Sequence, residues 1–246
     1  MQANETTFQR MVEGTKQFQV PLYQRPYSWG QEELERLWGD VTEQVERDQE
    51  TRPGGSAGHF LGSVVLAPGP FSASTLTRWL VIDGQQRLTS LSIMLAALRD
   101  RLREVEELEE GDHSGADRIN DVYLLNKYNK GLDKYRLLPT QADRSAYTAI
   151  VNERPDAGGK DRMGFAYNFF SGEIHHCSEE ELLRIEETIG HRLSLVDIQA
   201  EAGDNVFRIF ESLNNTGKGL SQTDLLRNYV FMLLPETGQE VYDEIW

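Results

Sequence analysis

The chain has 246 residues, 39% of them hydrophobic, with 40 acidic against 25 basic side chains and a formal charge of -15. That is enough for one large domain or two small ones with a filled core. The charge argues against a free-standing module that holds DNA by general phosphate attraction, since counterion release needs clustered lysine and arginine, so any DNA contact must be local. The single cysteine, Cys177, excludes an internal disulfide. The amino terminus has no basic start followed by an apolar run. The longest nearly apolar stretch, 225–234, carries Arg227 and Asn228 and is too short for a bilayer. A cytoplasmic protein without a membrane role is expected.

In chain order, the first dense stretch is VPLYQRPYSWG, which packs Tyr23, Gln24, Arg25, Pro26, Tyr27 and Trp29 into a loop stiffened by two prolines. Ser28 is read as the cap of a helix over 31–45, with Gln31 three residues on, as in a capping box. Turn-rich breaks at 52–58 and 67–75 bracket two strands, 60–66 (FLGSVVL) and 79–82 (WLVI), rich in β-branched and aromatic residues and expected to pair as neighbours. After the second strand come DGQQR and then Leu88, Leu91, Leu95, Leu98 and Leu102 at spacings of three and four, one apolar face of a helix.

Residues 104–200 read as mainly helical, broken by polar loops at 111–117 and 153–164. The acidic runs 104–112 and 179–187 read as solvated helix faces. From residue 201 the sequence becomes motif-dense again. Residues 207–229 read as a helix, a Gly-rich turn and a second helix capped by Ser221. The end, 241–246, looks like a helix in progress, and the natural polypeptide is expected to continue.

The turn after the second strand has the strongest chemistry. An Asp-Gly turn that opens a helix aims backbone N–H groups and the positive end of the helix dipole at one point, where a phosphate fits. Arg87 can fork onto phosphoryl oxygens, Gln85 and Gln86 can orient a water or read a base or ribose, and Asp83 can contact magnesium or accept a proton. The bland alternative has Asp83 capping the helix and Arg87 in a surface ion pair. In the loop before the first long helix, aromatic rings beside Arg25 could stack a base or line an apolar pocket. Core packing at a helix entrance explains Trp29 and one tyrosine equally well. The 214–219 turn could cradle an anion through backbone N–H groups and Lys218, or be no more than a well-made helical hairpin. It lacks the GxxxxGK[ST] pattern of a Walker loop. His175-His176-Cys177 is a poor zinc site, because neighbouring residues rarely ligate one tetrahedral metal. No GxSxG elbow and no His-Asn-His nuclease cassette is apparent.

Together VPLYQRPYSWG, HFLGSVVL, VIDGQQRLTSL and RIFESLNNTGKGLSQTDLLRNYVF resemble, in order and spacing, the N-terminal domain of GmrSD-type restriction endonucleases, including the phosphorothioation-linked SspE branch. The matches bracket residues 20–232 and leave the middle section without a diagnostic motif. The resemblance implies an α+β fold, with a ParB/sulfiredoxin-like nucleotide-binding core over 1–103, a largely helical portion over 104–200, and signature helices over 201–246 that pack back on the core. It implies a domain that hydrolyses a nucleoside triphosphate with magnesium and senses modified or phage DNA, joined to a C-terminal nuclease domain of the same polypeptide. This chain, lacking that domain, is not expected to cut DNA.

Carried over by position, Asp83, Gln85, Gln86 and Arg87 become catalytic, with Asp83 also the metal contact. Gly84, Gln24, Arg25, Asn214, Lys218, Arg227 and Asn228 become nucleotide-binding residues, and Gly217 and Asp224 also match the C-terminal signature. Tyr23, Pro26, Tyr27 and Trp29 become the surface that senses a DNA modification. Two rivals remain: a recognition module that binds modified DNA without turnover, and a scaffold that only docks partner domains.

Overall fold

Alternating and continuous apolar runs over 59–68 and 77–83 build the centre of a six-stranded mixed sheet in the computed structural model, which describes residues 2–22, 24–50, 58–69, 76–108, 114–154 and 157–200. The elements run β1 (Gln2–Thr7), α1 (Phe8–Val12), β2 (Lys16–Gln19), α2 (Gln31–Glu50), β3 (His59–Pro68), β4 (Thr77–Asp83) and α3 (Gln85–Leu108). Then follow α4 (Ser114–Ile119), β5 (Leu137–Leu138), α5 (Arg144–Val151), α6 (Arg162–Ile174), α7 (Glu179–Glu187) and β6 (Leu193–Gln199). Strand order is β1-β6-β3-β4-β2-β5. The architecture is α+β, as expected, and the two strands read from sequence do pair, antiparallel, with Leu66 opposite Val81. Val64, Val65, Leu66, Val81 and Ile82 are almost completely buried at this centre. The outermost strand β1, QANETT, is polar and largely exposed, which discourages edge-to-edge pairing.

The middle of the chain is not helical throughout. It supplies β5 beside β2 and β6 between β1 and β3, so the sheet is completed by residues far beyond 103. The period-two burial of Leu193 and Leu195 is the physical reason that β6 forms a strand there.

Helix α3 departs from expectation in a useful way. The leucine stripe is buried as predicted, yet every residue from 88 to 99 is buried, so the helix is enclosed on all sides rather than amphipathic. Helices α4, α5, α6 and α7 all pack on it. Arg99 lies fully buried within it. Its guanidinium donates to the carbonyls of Ile150 and Val151 at 3.0 and 2.8 Å and to Asn120 Oδ1 at 2.9 Å, and it pairs with Asp100 at 2.7 Å. The cation thereby ties α3 to the carbonyl end of α5, where the helix dipole welcomes positive charge.

Three local expectations need correction. Helix α2 runs to Glu50, and its cap is Gly30 rather than Ser28. The Gly30 carbonyl accepts from Leu34 N at 3.1 Å, and Glu33 Oε2 accepts from Gly30 N at 2.9 Å. Glu106 and Glu186, read as members of solvated faces, are buried. Glu106 accepts from the backbone of Gly115 and Ala116 at 3.0 and 3.4 Å, and Glu186 pairs with Arg118. A charge run reports the average environment of its residues, and a specific donor overrides it. No helix among the described residues is long and apolar enough to cross a membrane.

Replacing Arg99 with Met should destabilise the fold by about 3 kcal/mol, because the buried carbonyls of Ile150 and Val151 and the Asp100 carboxylate lose their charged donor together. Urea denaturation checks this, and a loss below about 1 kcal/mol would contradict the role given to Arg99.

Candidate functional site

Residues 83–87 span the junction at which β4 ends and α3 begins. Gly84 takes φ +89°, and a Cβ there would lie 3.0 Å from Val64 Cγ2 and 3.2 Å from the Ser63 carbonyl oxygen. Only glycine tolerates both the backbone conformation and the approach to β3. The Gly84 carbonyl accepts from Leu88 N at 3.0 Å, closing the first helical turn.

The two glutamines turn back toward the aromatic loop. Gln85 Nε2 donates to the Arg25 carbonyl at 3.1 Å. Gln86 Nε2 donates to the Pro26 carbonyl at 3.3 Å, and its Oε1 accepts from Ser28 N at 2.8 Å. Gln24 completes the seam by donating from Nε2 to the Ile82 carbonyl at 2.9 Å. All three glutamines are buried. Their carboxamides act as substitutes for a backbone ladder, fixing an irregular loop against a strand end that has no further strand to pair with. The Tyr27 amide adds a tether to Asp143 Oδ2 at 2.8 Å, itself held by Thr140 Oγ1 at 2.6 Å.

Arg87 occupies a different environment. Its Nη1 donates to the Ser63 carbonyl at 3.1 Å, and the guanidinium lies against Gly62, where a Cβ would come within 3.0 Å of Nη2. Gly62 has φ +114° and flanks a β-bulge in β3, so the strand opens to admit the cation. Burial lowers the Arg87 pKa from its usual value; Asp83 opposes that shift, Arg36 reinforces it, and Asp40 opposes it. Asp40 Oδ1 lies 3.3 Å from His59 Nε2. Among the described residues Arg87 has no carboxylate within ion-pair distance, and the Asp83 carboxylate accepts no hydrogen bond from the first turn of α3. The bland alternative, a capping aspartate with a surface ion pair, therefore describes neither residue. What remains is a half-buried cation in the first turn of α3, held by the Ser63 carbonyl alone among the described residues, in a strongly acidic protein.

A family model described as GmrSD restriction endonuclease, N-terminal domain, matches residues 8–231. The chain belongs to this family. No curated protein matches it. A GmrSD N-terminal domain is part of a restriction endonuclease, and the residues named from sequence can be located within it. Gln24, the Arg25 carbonyl, Gln85 and Gln86 are brought together by the hydrogen bonds above, whereas Gly84 and Arg87 adjoin them along the chain and Arg87 turns to Ser63. Tyr27 lies inside, 5% exposed, with its hydroxyl 2.6 Å from Ser90 Oγ, and desolvation raises its pKa well above that of a free phenol. Its ring is covered by the core. Trp29 is half-buried against that core and Pro26 is exposed. Tyr23, Asn214, Gly217, Lys218, Asp224, Arg227 and Asn228 lie outside the described residues.

Sequence reasoning missed Gly62 and Ser63 of β3, Arg36 and Asp40 of α2, and Asp143. A glycine inside the strand pattern FLGSVVL was a readable signal for Gly62, since it marks a bulge or close approach. The others come from elements distant in sequence and carry no local mark.

Gly84→Ala should cost about 1–3 kcal/mol through a disfavoured φ and the contact with Val64. Gly172→Ala, in α6 with no atom within 4 Å of the added carbon, should be neutral or stabilising by up to about 1 kcal/mol. Thermal unfolding of both proteins checks the contrast; equal effects would mean that the turn is not constrained as described.

Proposed function

We propose that this domain binds and hydrolyses a nucleoside triphosphate at the 83–87 turn, and that turnover governs the nuclease domain of the parent restriction enzyme. The observation that carries the proposal is Arg87, a half-buried guanidinium without an ion-pair partner among the described residues, at the N-terminus of an enclosed helix. Holding a desolvated cation without a carboxylate costs stability unless an anion completes the site. A polyphosphate does so with the fork geometry that arginine matches best.

Each residue then has a role. Arg87 meets the charge that develops on the transferred phosphoryl group, and the backbone N–H groups that open α3 hold the neighbouring oxygens. Gln86, with both ends of its carboxamide engaged, is a positioning residue that keeps the 25–28 loop over the turn. Gln85 holds the same loop through Nε2, and its Oε1 remains an acceptor for a water or a ribose hydroxyl. Arg25 and Arg36 add positive charge at the rim. Asn214, Lys218, Arg227 and Asn228 are assigned to the nucleotide on the sequence pattern alone.

Asp83, at the strand end with a carboxylate that accepts no hydrogen bond among the described residues, fits magnesium, which is commonly held by one or two carboxylates together with substrate phosphates. Among the described residues no group of three or more acidic, histidine or cysteine side chains could hold a metal, so the phosphates would have to supply the remaining ligands. Bound there, magnesium would neutralise charge on the phosphoryl oxygens. A ParB/sulfiredoxin-like core and an SspE-type response to phosphorothioate DNA remain part of this proposal. With Tyr27 buried, a modification sensor in the aromatic loop narrows to Tyr23, Pro26 and Trp29.

Phosphate release from each ribonucleoside triphosphate with magnesium tests the proposal. Arg87→Ala should lower turnover by roughly 100-fold or more while the protein stays folded. Wild-type turnover by a folded Arg87→Ala protein would overturn the assignment.

A further inference from the structure

Lysine is scarce in this chain and unevenly placed. Of six lysines, Lys127, Lys130 and Lys134 fall within eight residues. The main-chain carbonyl of a fourth, Lys16, accepts from Asn126 Nδ2 at 3.0 Å. Three of the six thus gather on one short segment of a protein whose formal charge is -15, with the Lys16 backbone beneath it and the Lys16 ammonium held by the Met11 carbonyl at 3.0 Å.

The segment that carries them is a braced hairpin. Leu125 and Tyr135 face each other in an antiparallel bridge, and Asn126 N donates to the Lys134 carbonyl at 2.6 Å. From below, Gln17 Nε2 donates to the carbonyls of Leu132 and Tyr135 at 2.8 and 2.9 Å. Lys134 is tied to Asn152 Oδ1 at 2.6 Å, and its ammonium lies 5.0 Å from the Tyr135 ring centre. The tip is free. Tyr128 is 92% exposed, the most open of the large hydrophobic side chains among the described residues, and stands between exposed Lys127 and Lys130. Lys130 makes no side-chain contact of any polar kind among the described residues. Lys127 pairs with Asp121 at 2.7 Å in the open, a weak arrangement that yields readily to a phosphate. Asp133, the hairpin's own carboxylate, is already occupied by Arg78 at 3.0 Å. Asp117 adds a weaker negative influence on Lys127.

This surface is remote from the 83–87 turn. Strand β2 runs parallel to β4 with Lys16 opposite Thr77, and the Arg78–Asp133 pair fastens the hairpin to the start of β4. The turn follows the other end of that strand, about 20 Å away at roughly 3.3 Å per residue.

We infer that the 125–135 hairpin is a DNA-docking surface, with Lys127 and Lys130 on backbone phosphates and Tyr128 stacked on a sugar or an unpaired base. Membership of a restriction endonuclease family supplies the partner, and charge supplies the location. An acidic body repels DNA over most of its surface and leaves a small cationic projection as the point of approach. A rigid tip costs little ordering entropy on binding. A tyrosine between two lysines combines a stacking face with phosphate contacts, as sequence-tolerant binding requires. The inference does not depend on nucleotide hydrolysis.

The test is fluorescence anisotropy with labelled duplex and single-stranded DNA across a salt series, using the whole chain. The Lys127→Ala/Lys130→Ala protein should bind at least tenfold more weakly near 0.1 M salt. Its slope of log K against log salt should be shallower by about 2, close to one ion per lysine. Tyr128→Ala should weaken single-stranded binding about fivefold or more. Arg87→Ala should bind DNA like wild type. Should the double variant fail to fold, Lys130→Ala alone, at a fully solvated position, should lower the slope by about 1. Unchanged binding by the lysine variants would overturn the inference. So would no binding by the wild-type chain near 50 mM salt, or binding to phosphatidylserine vesicles in preference to DNA.

Discussion

Everything at the candidate site depends on the hydrogen bonds that run from Gln24, Gln85 and Gln86 to main-chain groups across the seam between β4 and the 24–28 loop. A strand end has unpaired carbonyls, and an irregular loop that contains Pro26 has few N–H groups to offer in return. Buried glutamine side chains resolve that mismatch, because each carries a donor and an acceptor at the end of a reach long enough to bridge irregular backbone. With the loop fixed, the opening of α3 is shaped rather than exposed, and Arg87 can sit half-buried against Gly62 instead of swinging into solvent. Loss of the seam would release the loop and the geometry of the arginine together.

The enclosed helix α3 carries this arrangement into the rest of the molecule. Its first turn belongs to the site, its middle is surrounded by other elements, and Arg99 near its far half grips the carbonyl end of α5. A displacement at the turn would therefore press on the helical layer as a unit, since close-packed interiors transmit strain. The site and the lysine hairpin lie at opposite ends of β4, so a nucleotide and a DNA backbone could be held at once without competing for one surface.

Much of the core and of the turn was legible in the sequence. The β3 and β4 strands, the leucine stripe of α3 and the DGQQR turn are each specified within a few consecutive residues, and local patterns of that kind survive folding. Elements that depend on distant partners were not legible. Ser28 looked like a cap, but its amide is claimed by Gln86, 58 positions away, and Gly30 takes the capping position instead. Glu106 and Glu186 sit in acidic runs, yet they are buried against the backbone of residues 115 and 116 and against Arg118, none of which lies within those runs. Likewise Asp143, in a section without any recognisable motif, anchors the Tyr27 amide. Burial of Tyr27 itself follows from the enclosure of α3, which places Ser90 under its hydroxyl. The C-terminal signature over 207–229 lies outside the described residues.

The central claim is that the opening of α3 receives a polyphosphate, and a crystal structure of the chain with magnesium and a non-hydrolysable triphosphate analogue tests it most directly. Phosphate oxygens should lie within hydrogen-bonding distance of the Arg87 guanidinium and of the first backbone N–H groups of α3, with Asp83 facing the metal and the 25–28 loop in place. An analogue bound elsewhere, or an Arg87 still turned only to Ser63 with the analogue present, would contradict it.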